Sequence, residues 1–181
     1  MKIVGEKVVL RPITLADAVR FVRWMNEREV VWLSRGPAKK LTRKEECKWI
    51  KSIPKLKDQK HFSISTLNGV HIGGIGFKTI DALNRYAEIA IVIGDKRYLN
   101  KKLGTDAMRT LINWGFKKLK LHRIELEVYE YNMHGIRLYR RLGFKVEGKM
   151  RERVRWNGRY YAVLQMGLLR SEWPKHSHAR K

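Results

Sequence analysis

The chain has 181 residues, enough for one domain with a full apolar core, and its charge balance is unusual for such a domain. Forty Lys and Arg against 17 Asp and Glu give a net charge of +23, which favours nucleic acid, anionic cofactors and acidic surfaces as partners. A single cysteine excludes an intramolecular disulfide and a cysteine-based metal site, and no apolar run is long enough to span a membrane. We therefore expect a soluble cytoplasmic protein without a metal site.

The order of predicted elements indicates a mixed α/β domain, with a central twisted β-sheet flanked by helices over residues 1–173 and a basic, flexible tail over residues 174–181. Capping and hairpin signals mark several boundaries, among them the Thr42 to Glu45 capping box and the Asn-Gly pairs at 68–69 and 157–158. The predicted elements are strand 8–12, helices 14–26 and 42–52, strands 61–67, 70–80 and 86–94, helix 104–119, strand 124–128, a short helix around residue 139, and strands 145–147, 151–156 and 160–168.

Glycines at 73, 74 and 76 fall within the predicted strand 70–80. They indicate either a bulge with a close backbone contact or a weak strand end, and the sequence does not separate the two.

Residues 86–106 predict a strand, a basic loop and the start of a helix. Thr105 is the expected N-cap and Asp106 suits the first helical turn. The first amides of a helix have no intrahelical acceptor, and a glycine at 104 lets a phosphate approach the backbone closely. This turn is therefore a predicted anion site.

The segment resembles the acetyl-CoA-binding core of the GNAT family of N-acetyltransferases. Residues 99–104, Leu-Asn-Lys-Lys-Leu-Gly, align with the family pattern Q/R-x-x-G-x-G/A, with Leu99 and Lys102 departing from it. Residues 132–144 match N-x-x-a-x-x-l-Y-x-k-l-G-F through Asn132, Tyr139 and the closing Leu-Gly-Phe. The resemblance covers roughly residues 5–173 and extends to one branch, which includes Rim-type ribosomal-protein N-terminal acetyltransferases and spermidine acetyltransferases.

The resemblance implies that acetyl-CoA is the acetyl donor. The family's pantetheine arm lies beside the central strand, and its pyrophosphate lies at the loop and the helix start. The residues implied in cofactor binding are Ile91, Val92, Ile93, Asn100, Lys101, Lys102, Leu103, Gly104, Thr105 and Asn132. Lys102 replaces a glycine, so it either contacts phosphate or marks a site that has lost the cofactor. Asn132 either holds the pantetheine or caps a turn.

Two residues are candidates for proton transfer. Tyr139 stands where the family places a phenol near the cofactor sulfur; it could protonate the departing thiolate, or only pack on a helix face. Glu88 is an acid within an apolar strand, either the general base or half of an ion pair. Glu29 is the reserve base.

These residues predict an acetyl-CoA-dependent N-acetyltransferase acting by direct attack in a ternary complex, with a protein N-terminus as the leading acceptor. The alternatives are a small amine or polyamine acceptor, and a ribosome- or nucleic-acid-associated binding protein with little catalysis. Weak nucleic-acid association through the basic surface is expected, and a homodimer is the candidate assembly. The excess charge is uneven: residues 1–95 carry 18 basic and 10 acidic side chains, and residues 96–181 carry 22 and 7.

Overall fold

The computed structural model describes residues 1–36 and 39–174, except for the side chain of Arg35. Residues 175–181 of the predicted tail, and Pro37, therefore lie outside the described residues. The strands are β1 Ile3–Val4, β2 Val8–Pro12, β3 Lys60–Thr66, β4 His71–Asp81, β5 Tyr86–Ile93, β6 Arg123–Tyr129, β7 Lys145–Trp156 and β8 Arg159–Leu169.

All eight strands form one sheet, in the order β1-β2-β3-β4-β5-β6-β8-β7. Neighbouring strands are antiparallel except for β5 and β6, which are parallel because a helix connects them. The helices are α1 Ala18–Met25, α2 Arg28–Val30, α3 Arg43–Ser52, α4 Leu103–Lys118 and α5 Met133–Arg141. The predicted mixed α/β class and single domain are confirmed.

Helices lie on both faces of the sheet. The apolar stripe of α4 is buried, with Met108, Leu111 and Ile112 fully covered. On the opposite face, α1 places the Phe21 ring over β4, so that a Cβ added at Gly74 would stand 2.8 Å from that ring. The glycine run in β4 is therefore a place of close contact rather than a weak strand end.

β5 and β6 diverge at the centre of the sheet. Their pairing covers only three residue pairs and ends at Glu88 and Glu125, although β5 continues to Ile93 and β6 to Tyr129. The unpaired strand ends leave backbone groups free of a neighbouring strand. This divergence opens the sheet where a ligand can lie between the strands.

Several sequence predictions need correction. β7 is one strand, where two separate strands over residues 145–156 were predicted, because a bulge kinks it without ending its pairing with β8. The short edge strand β1 was missed. Residues 28–35, for which no element was predicted, form α2 and a π-helical turn. Among the described helices, none is both long and apolar enough to cross a membrane.

Candidate active site

A cavity of about 530 Å³ lies beside the end of β5, beyond its last residue paired with β6. It is bounded by the end of β5, by the loop before α4, by α2 and by α5. Nine of the ten residues predicted to bind the cofactor line it: Ile91, Val92, Ile93, Asn100, Lys102, Leu103, Gly104, Thr105 and Asn132. The tenth, Lys101, belongs to the same loop but does not line the cavity; its ammonium is 5.4 Å from the centre of the Tyr98 ring.

The start of α4 differs from the prediction. Thr105 is not the N-cap; the helix begins at Leu103, and Lys102 is the N-cap with a left-handed backbone, φ 61°. Thr105 was predicted because threonine is a common N-cap residue. The tight turn instead places the N-cap three residues earlier, at Lys102. Among the described side chains, none caps this helix. The first-turn amides, at 103–105, therefore have neither an intrahelical acceptor nor a side-chain acceptor.

Asp106, the acid of this first turn, is occupied elsewhere. Its buried carboxylate accepts hydrogen bonds from the backbone amides of Glu6, Lys7 and Val8 at 3.3, 2.8 and 3.1 Å. It therefore anchors the β1–β2 turn to α4 and leaves the cavity side of the helix start without a carboxylate.

Gly104 has room beside it. A Cβ built there would lie 3.5 Å or more from the nearest side chains, those of Ile93 and Ile91. The helix start thus presents free amides, the positive end of its dipole and an uncovered backbone to the cavity. These features fit a pyrophosphate such as that of acetyl-CoA.

Two arginines of α5 also line this cavity, and the sequence analysis did not identify them as ligands. Arg137 and Arg141 project from α5 one helical turn apart. The i, i+4 spacing of the two arginines was the available signal, because it places both on one helix face. Together they make the cavity a suitable place for a polyanion.

Tyr139 lies on α5, partly buried, with its ring 6.1 Å from that of Phe144. Burial raises the pKa of its phenol to about 12, so the group stays protonated at neutral pH. Its hydroxyl forms no hydrogen bond to any described residue. The phenol therefore has a proton to donate, although its side chain is not among those lining the cavity.

Asn132 is the N-cap of α5. Its side-chain oxygen accepts from the Gly135 amide at 2.9 Å, and its Nδ2 donates to the Leu33 carbonyl at 3.1 Å. The side chain thereby ties the start of α5 to the turn after α2, so two opposite walls of the cavity are held together.

Glu88 forms an ion pair with Lys78 on the neighbouring strand. It is the last β5 residue to pair with β6. The reserve base, Glu29, lines this first cavity and lies 2.9 Å from the Lys96 ammonium, which is also 3.4 Å from Glu27.

A second cavity, of about 340 Å³, lies on the sheet face covered by α1 and α3. It shares Ser34, Ile91 and Val92 with the first cavity, and most of its other walls are apolar. His61 lines it; burial lowers the pKa of the imidazole, and its Nε2 lies 2.8 Å from Gln59 Oε1. His61 was missed because a single histidine in a strand carries no distinctive pattern.

A third cavity adjoins the first through Glu29 and Lys96 and is bordered by Trp32, Trp156 and Tyr161. Trp32 and Trp156 are far apart in the sequence, but the centres of their rings lie 5.1 Å apart. The rings of Trp32 and Tyr131 are stacked with their centres 3.5 Å apart, and the Tyr131 hydroxyl donates to the Trp32 backbone carbonyl at 2.9 Å. Long-range packing, not local spacing, assembles this aromatic cluster. No group of three potential metal ligands occurs in the described part of the chain.

Comparison with known proteins identifies the family. A family model described as an acetyltransferase (GNAT) domain matches residues 7–145. The chain is similar to the "Uncharacterized N-acetyltransferase p20" of Bacillus licheniformis, with 29% identity over 171 residues that cover 93% of this chain and 96% of that protein.

Two shorter matches cover the same share of the chain, 59%. The spermidine N(1)-acetyltransferase of Escherichia coli K12 is 31% identical over 106 residues, which are 56% of its length. The "Putative ribosomal N-acetyltransferase YdaF" of Bacillus subtilis is 33% identical over 106 residues, which are 57% of its length.

Among solved structures, the spermidine N-acetyltransferase of Vibrio cholerae in complex with CoA and spermine has the same fold. The TM-score is 0.83 at 24% identity, over 91% of this chain and 96% of that one. A further structure of the Vibrio cholerae protein is described as dodecameric.

Proposed function

Because the chain belongs to the GNAT family and is an acetyl-CoA-dependent N-acetyltransferase, we propose that its acceptor is the amino group of a protein N-terminus. The amine attacks the acetyl group directly while both substrates are bound. The proposed pyrophosphate ligands are the amides of residues 103–105, with Asn100, Lys101 and Lys102 around them. Ile91, Val92 and Ile93 offer main-chain partners to the pantetheine, and Asn132 holds the facing wall.

The observation that carries the choice of acceptor is the charge of the cavities. Glu27 and Glu29 are both within 4 Å of the Lys96 ammonium, so their charges are already partly offset. Arg28 and Arg159 also border that third cavity. A polyamine needs several uncompensated carboxylates, whereas an N-terminal peptide presents a single amine on a neutral body.

The apolar cavity beside β5 supports the same proposal. It is large enough for one side chain and reaches Ile91 and Val92, which also line the cofactor cavity. A first residue with an apolar side chain can fill it while the amine faces the thioester.

A panel of acceptors tests this proposal. Release of the CoA thiol is followed with a tetrapeptide that has a free N-terminus and an apolar first residue, with the same peptide after N-terminal blocking, and with spermidine. The proposal predicts a higher kcat/KM for the free peptide than for spermidine, and no reaction with the blocked peptide. Faster turnover of spermidine would reject the peptide acceptor and leave the acetyltransferase assignment intact.

A polyamine acceptor is the second candidate, favoured by the similarity to the Escherichia coli spermidine acetyltransferase. Under this alternative, spermidine would displace Lys96 from the two carboxylates. Lys96→Met would then raise the kcat/KM for spermidine, while Lys117→Met, on the exposed end of α4, serves as the control.

For proton transfer we propose Tyr139 as the acid and Glu88 as the base. Glu88 is two residues before Ala90 on β5, so both lie on the face that borders the apolar cavity. To act as the base, Glu88 must break its ion pair with Lys78 and accept the ammonium proton through a water molecule. Glu88→Gln should reduce kcat/KM, and the loss should shrink as pH rises and the amine deprotonates unaided. A loss independent of pH would indicate that the carboxylate only stabilises the strand through Lys78.

A further inference from the structure

The β7–β8 hairpin has two parts that differ in how their cations are neutralised. In the part next to the rest of the sheet, Lys145 pairs with Glu172 and Lys149 pairs with Glu130. In the distal arm, residues 150–161, the cations are all arginines, at positions 151, 153, 155 and 159. None of these four arginines forms an ion pair with a residue in the described part of the chain. The arm therefore carries an uncompensated positive charge.

A bulge pushes part of this arm outward. Met150 is opposite Val163 and Val154 is opposite Tyr161, so the three residues 151–153 face a single residue on β8. The middle one, Glu152, has a left-handed backbone with φ 53°. Because β7 is the edge strand of the sheet, the two extra residues project into solvent, where Arg151 and Arg153 are exposed.

An exposed aromatic ring lies next to these arginines. Tyr160 is 58% exposed although it is a large side chain in a strand. Its cross-strand partner is Arg155, whose guanidinium lies 5.8 Å from the centre of the ring. Planar guanidinium groups bind phosphates through paired donors, and an exposed ring offers a face on which a base can stack.

We propose that the distal arm binds single-stranded nucleic acid. Arg151, Arg153 and Arg155 contact successive phosphates while Tyr160 stacks on an unpaired base, and the net charge of +23 attracts the strand from a distance. The same charge disfavours a second copy of this chain as the occupant, because two such surfaces repel each other. An acidic protein would engage the arginines but would not need the exposed ring.

The arm is also close to the third cavity, which adjoins the first one through Glu29 and Lys96. Trp156, Arg159 and Tyr161 line the third cavity from the other face of the same hairpin. A strand bound to the outer face would bring an acceptor that is attached to nucleic acid to the edge of the active site. This binding is separate from the proposed acetyl transfer and can be measured without an acceptor.

The test uses fluorescence anisotropy with a labelled 12-nucleotide oligouridine RNA and the full chain. The arm variant carries Arg151→Gln, Arg153→Gln and Arg155→Gln. The matched control carries Lys117→Gln, Lys118→Gln and Lys120→Gln, exposed residues at the end of α4 and just after it, and removes the same number of charges. The arm variant should bind at least about 10-fold more weakly, and the slope of log K against log salt should fall by about 2, since each lost contact in a single strand contributes about 0.7. Equal losses in the two variants would overturn the proposal in favour of a diffuse charge effect.

Tyr160 provides a second test that leaves the charge unchanged. Tyr160→Ser should weaken single-strand binding by about 5- to 10-fold, with little change in salt dependence, and Tyr160→Phe should retain affinity because the ring can still stack. A 12-base-pair duplex should bind more weakly than the single strand. Stronger binding to the duplex or to a polyglutamate peptide, or an unchanged Tyr160→Ser variant, would contradict base stacking on the arm. Thermal unfolding of each variant checks that it is folded.

Discussion

The first backbone amides of a helix have no acceptor within the helix, and the starts of α3 and α4 differ in how these amides are satisfied. At α3, Thr42 and Glu45 satisfy each other: the Glu45 amide donates to the Thr42 hydroxyl at 3.2 Å, and the Thr42 amide donates to the Glu45 carboxylate at 2.8 Å. At α4, the N-cap is Lys102, without a side-chain cap, and Asp106 is turned toward the β1–β2 turn. A capped helix start is structural, whereas an open one beside a cavity can take an anion from outside the chain.

The comparison separates a structural helix start from one that can bind the cofactor. The largest expected effect, however, is on the chemical step, which we assign to Tyr139. Tyr139→Phe removes the phenol proton but keeps the ring that packs on Phe144. Turnover should fall by roughly 100-fold or more if proton donation limits the rate, while the acetyl-CoA Kd changes little. Steady-state rates and calorimetric titration measure the two quantities.

The raised pKa of Tyr139 adds a pH expectation. With a pKa of about 12, the phenol stays protonated through the neutral and mildly alkaline range, so it should not cause an alkaline fall in wild-type turnover below about pH 11. If the Tyr139→Phe variant turns over at the wild-type rate, Tyr139 is not the proton donor and has only a packing role.

The second effect lies at the open helix start. Gly104→Val should weaken acetyl-CoA binding by about 10-fold or more, since the side chain would occupy the space that the pyrophosphate needs. The fold should tolerate the change because an added Cβ meets no side chain closer than 3.5 Å. Calorimetry gives the affinity, and circular dichroism confirms folding. Full affinity in a folded variant would place the pyrophosphate elsewhere.

The third change affects the closed helix start. Thr42→Ala should cost about 1 kcal/mol in the free energy of unfolding, as loss of an N-cap does elsewhere. Acetyl-CoA affinity should stay the same, because α3 does not line the cofactor cavity. Urea unfolding measures the stability. A weakened acetyl-CoA Kd would show that the two helix starts are not independent.

The smallest effect concerns the strain at Lys102. Lys102→Gly should stabilise the fold by a few tenths of a kcal/mol up to about 1, since glycine adopts the left-handed backbone at no steric cost. Acetyl-CoA affinity should fall by a few fold at low salt if the ammonium contacts phosphate. Lys120→Gly is the matched control, with φ 57° and no place in the cavity lining, and should stabilise without changing affinity.

The sequence was informative where function depends on local chemistry, and less so where it depends on packing. The order of the main elements follows from periodicity and agrees with the fold, and Gly104 marks the helix start that borders the cavity. The N-cap was misplaced because Thr105 looked like a better cap than Lys102. The continuity of β7 and the Trp32 cluster depend on contacts between distant segments, which no local pattern records.

The two acidic candidates show the same limit. The sequence marked Glu88 as unusual in an apolar strand, and left open whether it is a base or half of an ion pair. The structure provides its partner, Lys78, from the neighbouring strand. Only the pairing of β4 with β5 brings these two residues together.

Backbone amide NMR during an acetyl-CoA titration tests the central claim most directly. The open start of α4 predicts large, saturable shifts at residues 103–105, and no comparable shifts at 43–45 at the capped start of α3. Saturable binding that leaves 103–105 unmoved would contradict the assignment of the pyrophosphate site.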